Sequence, residues 1–192
     1  MKKTVVILLI FLTQSTATFA VKDFFLRLSD AALELTKDKV VYDPVYYRIA
    51  YPNGDIPKGK GVCTDVVIRA YRKLGIDLQK EVHTDMSANF AKYPKNWGRK
   101  SPDSNIDHRR VPNLMTFFTR FGVVKPKSMN PNDYLAGDIV CWDLGRGITH
   151  IGIVVDKKQN GIPLIVHNIG RGQVLENSLF QFKIIGHYRY RK

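Results

Sequence analysis

Residues 138–167 read DIVCWDLGRGITHIGIVVDKKQNGIPLIVH. Three short apolar runs lie in this stretch: Asp138 to Trp142, Thr149 to Asp156 and Leu164 to His167. Gly147 bounds the second run on one side, and Lys157-Lys158-Gln159-Asn160-Gly161 supplies a turn on the other. Short apolar runs between turn signals predict buried strands, the last two joined as a hairpin. Gln181 to Arg189 is a fourth strand. Upstream the period changes. Phe24, Leu28, Ala31, Ala32 and Leu35 recur at helical spacing within Asp23 to Lys39. A second helix opens at Cys63, buries Val66, Val67, Ala70, Tyr71 and Leu74, and ends at Gly75. His83 to Tyr93, stopped by Pro94, and Val111 to Phe121, closed by Gly122, are two more. Tyr42 to Tyr51 is extended and aromatic, 52–55 is a turn, and 102–110 and 126–131 are loops. Helices first and strands after predict an α+β fold with an antiparallel sheet, not a doubly wound one.

The chain of 192 residues has room for one domain with a real core. Apolar residues make up 44% and charged residues 24%, which excludes a disordered or membrane-embedded bulk. Two cysteines, Cys63 and Cys141, exclude a disulfide-stapled miniprotein and a multi-cysteine zinc module. No glycine-rich phosphate loop is present, so nothing speaks for nucleotide chemistry.

The first twenty residues read as an address. Met1-Lys2-Lys3 is basic, Val5 to Leu12 is an apolar run of eight, and a polar stretch then leads to Thr18-Phe19-Ala20. This is the three-part pattern of a secretory signal peptide with cleavage after Ala20. The run is far short of the ~20 residues of a spanning helix, so no stable membrane insertion is expected. Cleavage leaves 172 residues and, with Lys2 and Lys3 gone, lowers the formal charge from +13 to +11. The expected location is periplasmic or secreted. A basic exported surface attracts anionic envelope polymers. No aromatic-interleaved nucleic-acid motif appears, and no nucleic-acid partner is expected.

Cys63 follows a glycine-rich loop and opens a helix, where free N–H groups and the macrodipole favour a thiolate. His150 opens its strand and shares a face with Gly152 and Val154. Gly152 leaves room beside the imidazole for a substrate backbone. His167 closes the next strand, so the hairpin sets two imidazoles side by side. Thiolate, imidazole and an orienting polar group are the parts of a cysteine hydrolase. Two other readings stay open: a zinc site on Cys63, His150 and His167, and a Cys63–Cys141 disulfide. Asp65 raises the thiol's pKa if it faces the sulfur; otherwise it caps the helix or binds a substrate amine. His108 and Arg109, in Asp107-His108-Arg109-Arg110, are either binders of a substrate carboxylate or members of a solvated loop with a local ion pair. His83 and His187 read as structural or surface residues, and Cys141 as a small buried apolar one.

Gly61-Val62-Cys63-Thr64-Asp65, Gly137-Asp138-Ile139-Val140, Thr149-His150-Ile151-Gly152-Ile153-Val154 and Ile165-Val166-His167 resemble the NlpC-type branch of the papain-like cysteine hydrolases. With 107–113 added, the mature chain is similar over nearly its whole length to the exported YijF-like family. The resemblance implies a single papain-like, NlpC-type hydrolase domain over 21–192, with a helical insertion at about 79–131. It implies an exported cysteine hydrolase acting on peptidoglycan or its fragments, as stem-peptide endopeptidase or amidase. By that resemblance Cys63 is the nucleophile, His150 the general base and His167 the orienting residue; the residues themselves place Asp65, His108, Arg109 and Gly152 toward the substrate, and no cofactor or metal is required. The wider superfamily opens its helix with Asp-Cys-Ser-Gly, whereas here Val62 precedes the cysteine and Thr64-Asp65 follows it. That departure keeps a non-catalytic envelope-binding module on the same scaffold as an alternative.

Overall fold

The structure is a computed structural model that describes residues 23–192; the expected signal peptide at 1–20 lies outside the described residues. In chain order the elements are α1 (Phe24–Leu35), β1 (Val41–Tyr42), β2 (Lys60–Gly61), α2 (Cys63–Lys73), α3 (Leu78–Asn89), α4 (Val111–Phe121), β3 (Val123–Val124), β4 (Ile139–Asp143), β5 (Thr149–Gln159), β6 (Ile162–His167), β7 (Val174–Glu176) and β8 (Lys183–Arg189). The predicted α+β class holds. Six strands form an antiparallel sheet in the order β3-β8-β4-β5-β6-β7, and β1 and β2 form a small parallel pair beside it.

Strand alternation gives the sheet two buried faces. Ile139 and Cys141 of β4, Ile151, Ile153 and Val155 of β5 and Val166 of β6 pack with Leu28 and Ala32 of α1 and with Val66, Val67 and Ala70 of α2. The other face holds Val140, Trp142, Val154 and Ile165, covered by Tyr134 and Leu179 from the connecting segments. The Trp142 indole N–H donates to the Leu179 carbonyl at 2.9 Å, so this large ring is buried with its polar atom satisfied. The β5–β6 hairpin turns on Asn160 and Gly161, with φ of 51° and 80°. Two consecutive positive φ values make the primed turn that matches strand twist, and an Asn-Gly pair adopts it with little strain.

α3 begins five residues before the expected start at His83. Asp77 accepts the Gln79 N–H at 3.0 Å and so caps an earlier first turn, and a 3-10 turn at Phe90–Lys92 completes the segment before Pro94. The expected loop at 102–110 contains a 3-10 turn, Asp107–Arg109. Short β1, β2, β3 and β7 have no sequence signal, since two or three residues carry no period.

Candidate active site

Cys63 is the first residue of α2. Asp65, two residues on, accepts the Val62 N–H at 2.7 Å and satisfies one of the free donors of the helix start. Its carboxylate also takes a two-pronged bond from Arg109, Nε to Oδ1 at 2.9 Å and Nη2 to Oδ2 at 3.1 Å, with both side chains buried. Arg109 further donates to the carbonyls of Val45 and Asp43, and the Thr64 hydroxyl donates to the Arg109 carbonyl. The 107–109 turn is thereby fastened onto the head of α2. Of the roles open to Asp65, capping the helix and raising the Cys63 thiol are present, and the fold adds the pairing with Arg109. Arg109 lines the groove beside Cys63 with its fork on Asp65, and His108 is buried outside the groove's lining.

Cys63 is 7% exposed and opens onto a groove of about 420 Å³ lined by Tyr42, Tyr46, Trp97, Arg110 and Thr149 among others. The Arg110 guanidinium lies 4.0 Å from the centre of the Trp97 ring. Burial pushes the thiol up to about 12, and the Asp65 charge adds to this. Hydrogen bonds offered by the backbone of Ile151, Thr64 and Cys63 itself work the other way. The expected lowering at a helix start is therefore corrected: loss of water around the sulfur outweighs the helix. Cys63 and Cys141 are free thiols, so the disulfide alternative is not formed.

The two imidazoles meet directly. His150 Nε2 lies 2.7 Å from His167 Nδ1, and the His150 ring is inclined against Trp142 at 5.7 Å. His167 Nε2 continues to Glu176 Oε2 at 3.1 Å, with the Ser178 hydroxyl at 3.4 Å from the same nitrogen. Glu176 Oε1 accepts from Arg171 at 2.8 Å. Burial, and then the neighbouring His167, hold His150 down to about 3; burial also lowers His167, with the Glu176 charge opposing it. Both rings are thus neutral near pH 7.

The sulfur and the imidazole pair reach the strand ends from opposite faces. Cys63 packs with Ile151 and Cys141 on the helix face, while His150, Gly152 and Val154 alternate to the other. Two neighbours bring them to one end of the sheet: Ile151, next after His150, packs in one cluster with Cys63, and Asn168, next after His167, donates to the Gly61 carbonyl at 3.1 Å.

Gly152 does not border the groove. A Cβ there would stand 2.7 Å from Ile165 Cγ2 and 3.1 Å from His167 Cβ. The missing side chain makes room for His167 on the next strand, not for substrate. The zinc alternative lacks its ligand set: among the described residues no group of three or more His, Cys, Asp and Glu side chains gathers as a metal site requires. Glu176 and Ser178 had no signal in the sequence, because they lie on and beside a three-residue strand after a glycine-rich turn.

The profile of a family described as "Domain of unknown function (DUF1287)" matches residues 29–190. The chain belongs to the DUF1287 family. A relative in Escherichia coli (strain K12), "Uncharacterized protein YijF", is 53% identical over 166 residues, covering 86% of this chain and 81% of its own, as the YijF-like resemblance implied. A solved structure of an N-acetylmuramoyl-L-alanine amidase from Bacteroides uniformis ATCC 8492 superposes with a TM-score of 0.52 over 88% of this chain and 99% of that one, at 12% identity. The DUF1287 chain therefore shares the fold of that amidase. Among its described residues no helix is long and apolar enough to cross a membrane.

Proposed function

We propose that this protein is an exported cysteine hydrolase that cuts an amide or peptide bond in bacterial peptidoglycan. The observation that carries the reading is the head of β5. Ile151, which packs in one cluster with Cys63 at the mouth of a groove, directly follows His150, and His150 is joined to His167. The fold shared with an amidase supports the same class of bond. The leader-like first twenty residues and the basic composition fit an envelope protein.

In this mechanism the resting pair is thiol and neutral imidazole, not an ion pair. His150 takes the thiol proton as the sulfur attacks the scissile carbonyl. Backbone N–H groups at the head of α2, free of helix partners, face the developing oxyanion. The His150 imidazolium then protonates the leaving amine, and the neutral ring activates the water that releases the acyl group. His167 holds the ring's orientation throughout.

The test is digestion of purified peptidoglycan followed by mass spectrometry of the released fragments. Cys63→Ala should lower product release by on the order of 10⁴-fold or more, with an unchanged circular dichroism spectrum. Equal release by the variant ends the reading. The products themselves divide endopeptidase from amidase. A second reading, an envelope-binding module without catalysis, is favoured by the burial of Cys63 and its upward-shifted thiol. It expects wall binding that Cys63→Ala leaves intact and no released fragments from either protein.

A further inference from the structure

The chain of bonds from His150 does not end at His167. It runs on to a carboxylate two strands away from β5. On β7, Glu176 pairs in register with Ile165 of β6, and Ile165 shares its face with His167, so Glu176 sits diagonally across from that ring. We propose that Glu176 is a positioning residue that fixes, through His167, which nitrogen of His150 carries the lone pair. The proposal rests on the hydrolase reading and adds a residue to it.

The argument is a count of protons. An ionised carboxylate only accepts hydrogen bonds. His167 Nε2, 3.1 Å from Glu176 Oε2, must therefore be the N–H of its ring. Burial keeps His167 neutral, so its Nδ1 carries no proton and accepts. His150 Nε2, 2.7 Å from that Nδ1, must then be the donor. In a neutral ring this leaves His150 Nδ1 bare, the nitrogen turned away from His167 and the one able to take a proton from a thiol. The Ser178 hydroxyl, 3.4 Å from His167 Nε2, can donate or accept and imposes neither state. Arg171 donates to the other oxygen of Glu176 at 2.8 Å, so each oxygen of this carboxylate faces an N–H. When His150 becomes imidazolium, its Nε2–H keeps the same acceptor, so no proton need leave the ring along the chain. The negative charge of Glu176 stands at the far end of the line.

The experiment is long-range proton–nitrogen correlation on the full chain labelled with ¹⁵N, near pH 7, with ring signals assigned by their loss in His150→Ala and His167→Ala. The expected wild-type spectrum shows Nε2 protonated and Nδ1 bare in both rings. Glu176→Gln offers a donor as well as an acceptor, so the two rings should redistribute toward His150 Nδ1–H; Glu176→Asp should restore the wild-type pattern. On peptidoglycan, Glu176→Gln should lower kcat about tenfold, a part of the 10²–10⁴ of a general base, with KM little changed and the pH limb of the base displaced. A wild-type His150 with a protonated Nδ1, or ring signals in Glu176→Gln and Glu176→Ala that match wild type, overturns the proposal. This is separable from the fate of the hydrolase reading. Tautomers that follow Glu176 in a protein with no Cys63-dependent product sink the enzyme and leave the positioning intact. Hydrolysis that depends on Cys63 with tautomers indifferent to Glu176 does the reverse.

Discussion

Two histidine clusters stand on the same sheet and are built to opposite ends. In one, His187 of β8 places Nε2 2.7 Å from Asp138 Oδ2 and Nδ1 2.8 Å from the Pro126 carbonyl, with Tyr134 stacked on its ring. Asp138 is fully buried and its other oxygen takes Arg189 at 2.7 Å. Every polar atom of that imidazole is used by the fold. In the other, His150 gives its network only Nε2, the carboxylate is set one ring further away, and Glu176 and Arg171 reach solvent. A ring whose hydrogen bonds are complete joins strands. A ring left one bond short at the end of a strand can exchange a proton. Asp138→Ala breaks the first cluster alone. It leaves His187 and Arg189 without their anion and the Leu135 N–H without its acceptor, and should cost about 3–5 kcal/mol in urea unfolding. Turnover per folded molecule should stay as in wild type; a loss of turnover at unchanged stability would contradict the division between the clusters.

Gly152→Ala sharpens the comparison from the other side. The new methyl group meets Ile165 and His167 and has no room in either direction, since β6 is hydrogen-bonded beside it. The expected loss is about 1–3 kcal/mol of stability, the range for an overfilled core. Because the side chains it meets are Ile165 and His167, turnover should fall with it, unlike in Asp138→Ala. A variant with intact turnover and intact stability would mean that the hairpin holds the imidazole pair more loosely than these contacts imply.

The parts legible in the sequence and the parts that were not divide along physical lines. Helix α4, helix α2 from its cysteine, and the β5–β6 hairpin declare themselves, because each combines a long apolar period with a stop signal such as Gly75, Gly122 or Asn160-Gly161. The start of α3 is not legible although Asp77 is an ordinary cap, because the apolar period there is weak. At the site, residue types that carry chemistry were visible, but the state of each was not. The helix start argued for an acidic Cys63, and only the packed structure shows that burial acts more strongly. The partner of Arg109 is not legible in the sequence, because Asp65, 44 positions earlier in the chain, is not its neighbour until the chain folds. In the sequence Gly152 offers space for a ligand, and in the fold the adjacent strand occupies that space. Glu176 has no signal at all: a carboxylate comes to face a histidine on the next strand only through cross-strand register, which sequence spacing does not carry.

His108 supplies a third case, with the smallest effect. Its ring is buried and Nδ1 has no partner, so an unspent nitrogen is present here too, but away from the groove that Cys63 lines. Burial, and then the adjacent Arg109 and Arg72 charges, hold its pKa down to about 3. In the unfolded chain the ring binds a proton below about 6.5. Between those values the unfolded state holds the extra proton, so stability falls as pH drops from about 6.5 toward about 3 and levels off below. One unit below the ordinary value, at about pH 5.5, the loss is about 1.4 kcal/mol for this one ring. His108→Leu should remove that share of the acid slope while turnover at neutral pH stays near wild type, measured by urea unfolding at a series of pH values. An unchanged slope would place the acid sensitivity in the His150–His167 pair instead. A loss of neutral-pH turnover would show that an unfilled nitrogen outside the groove still matters to the chemistry, and the contrast between the clusters would have to be redrawn around His108.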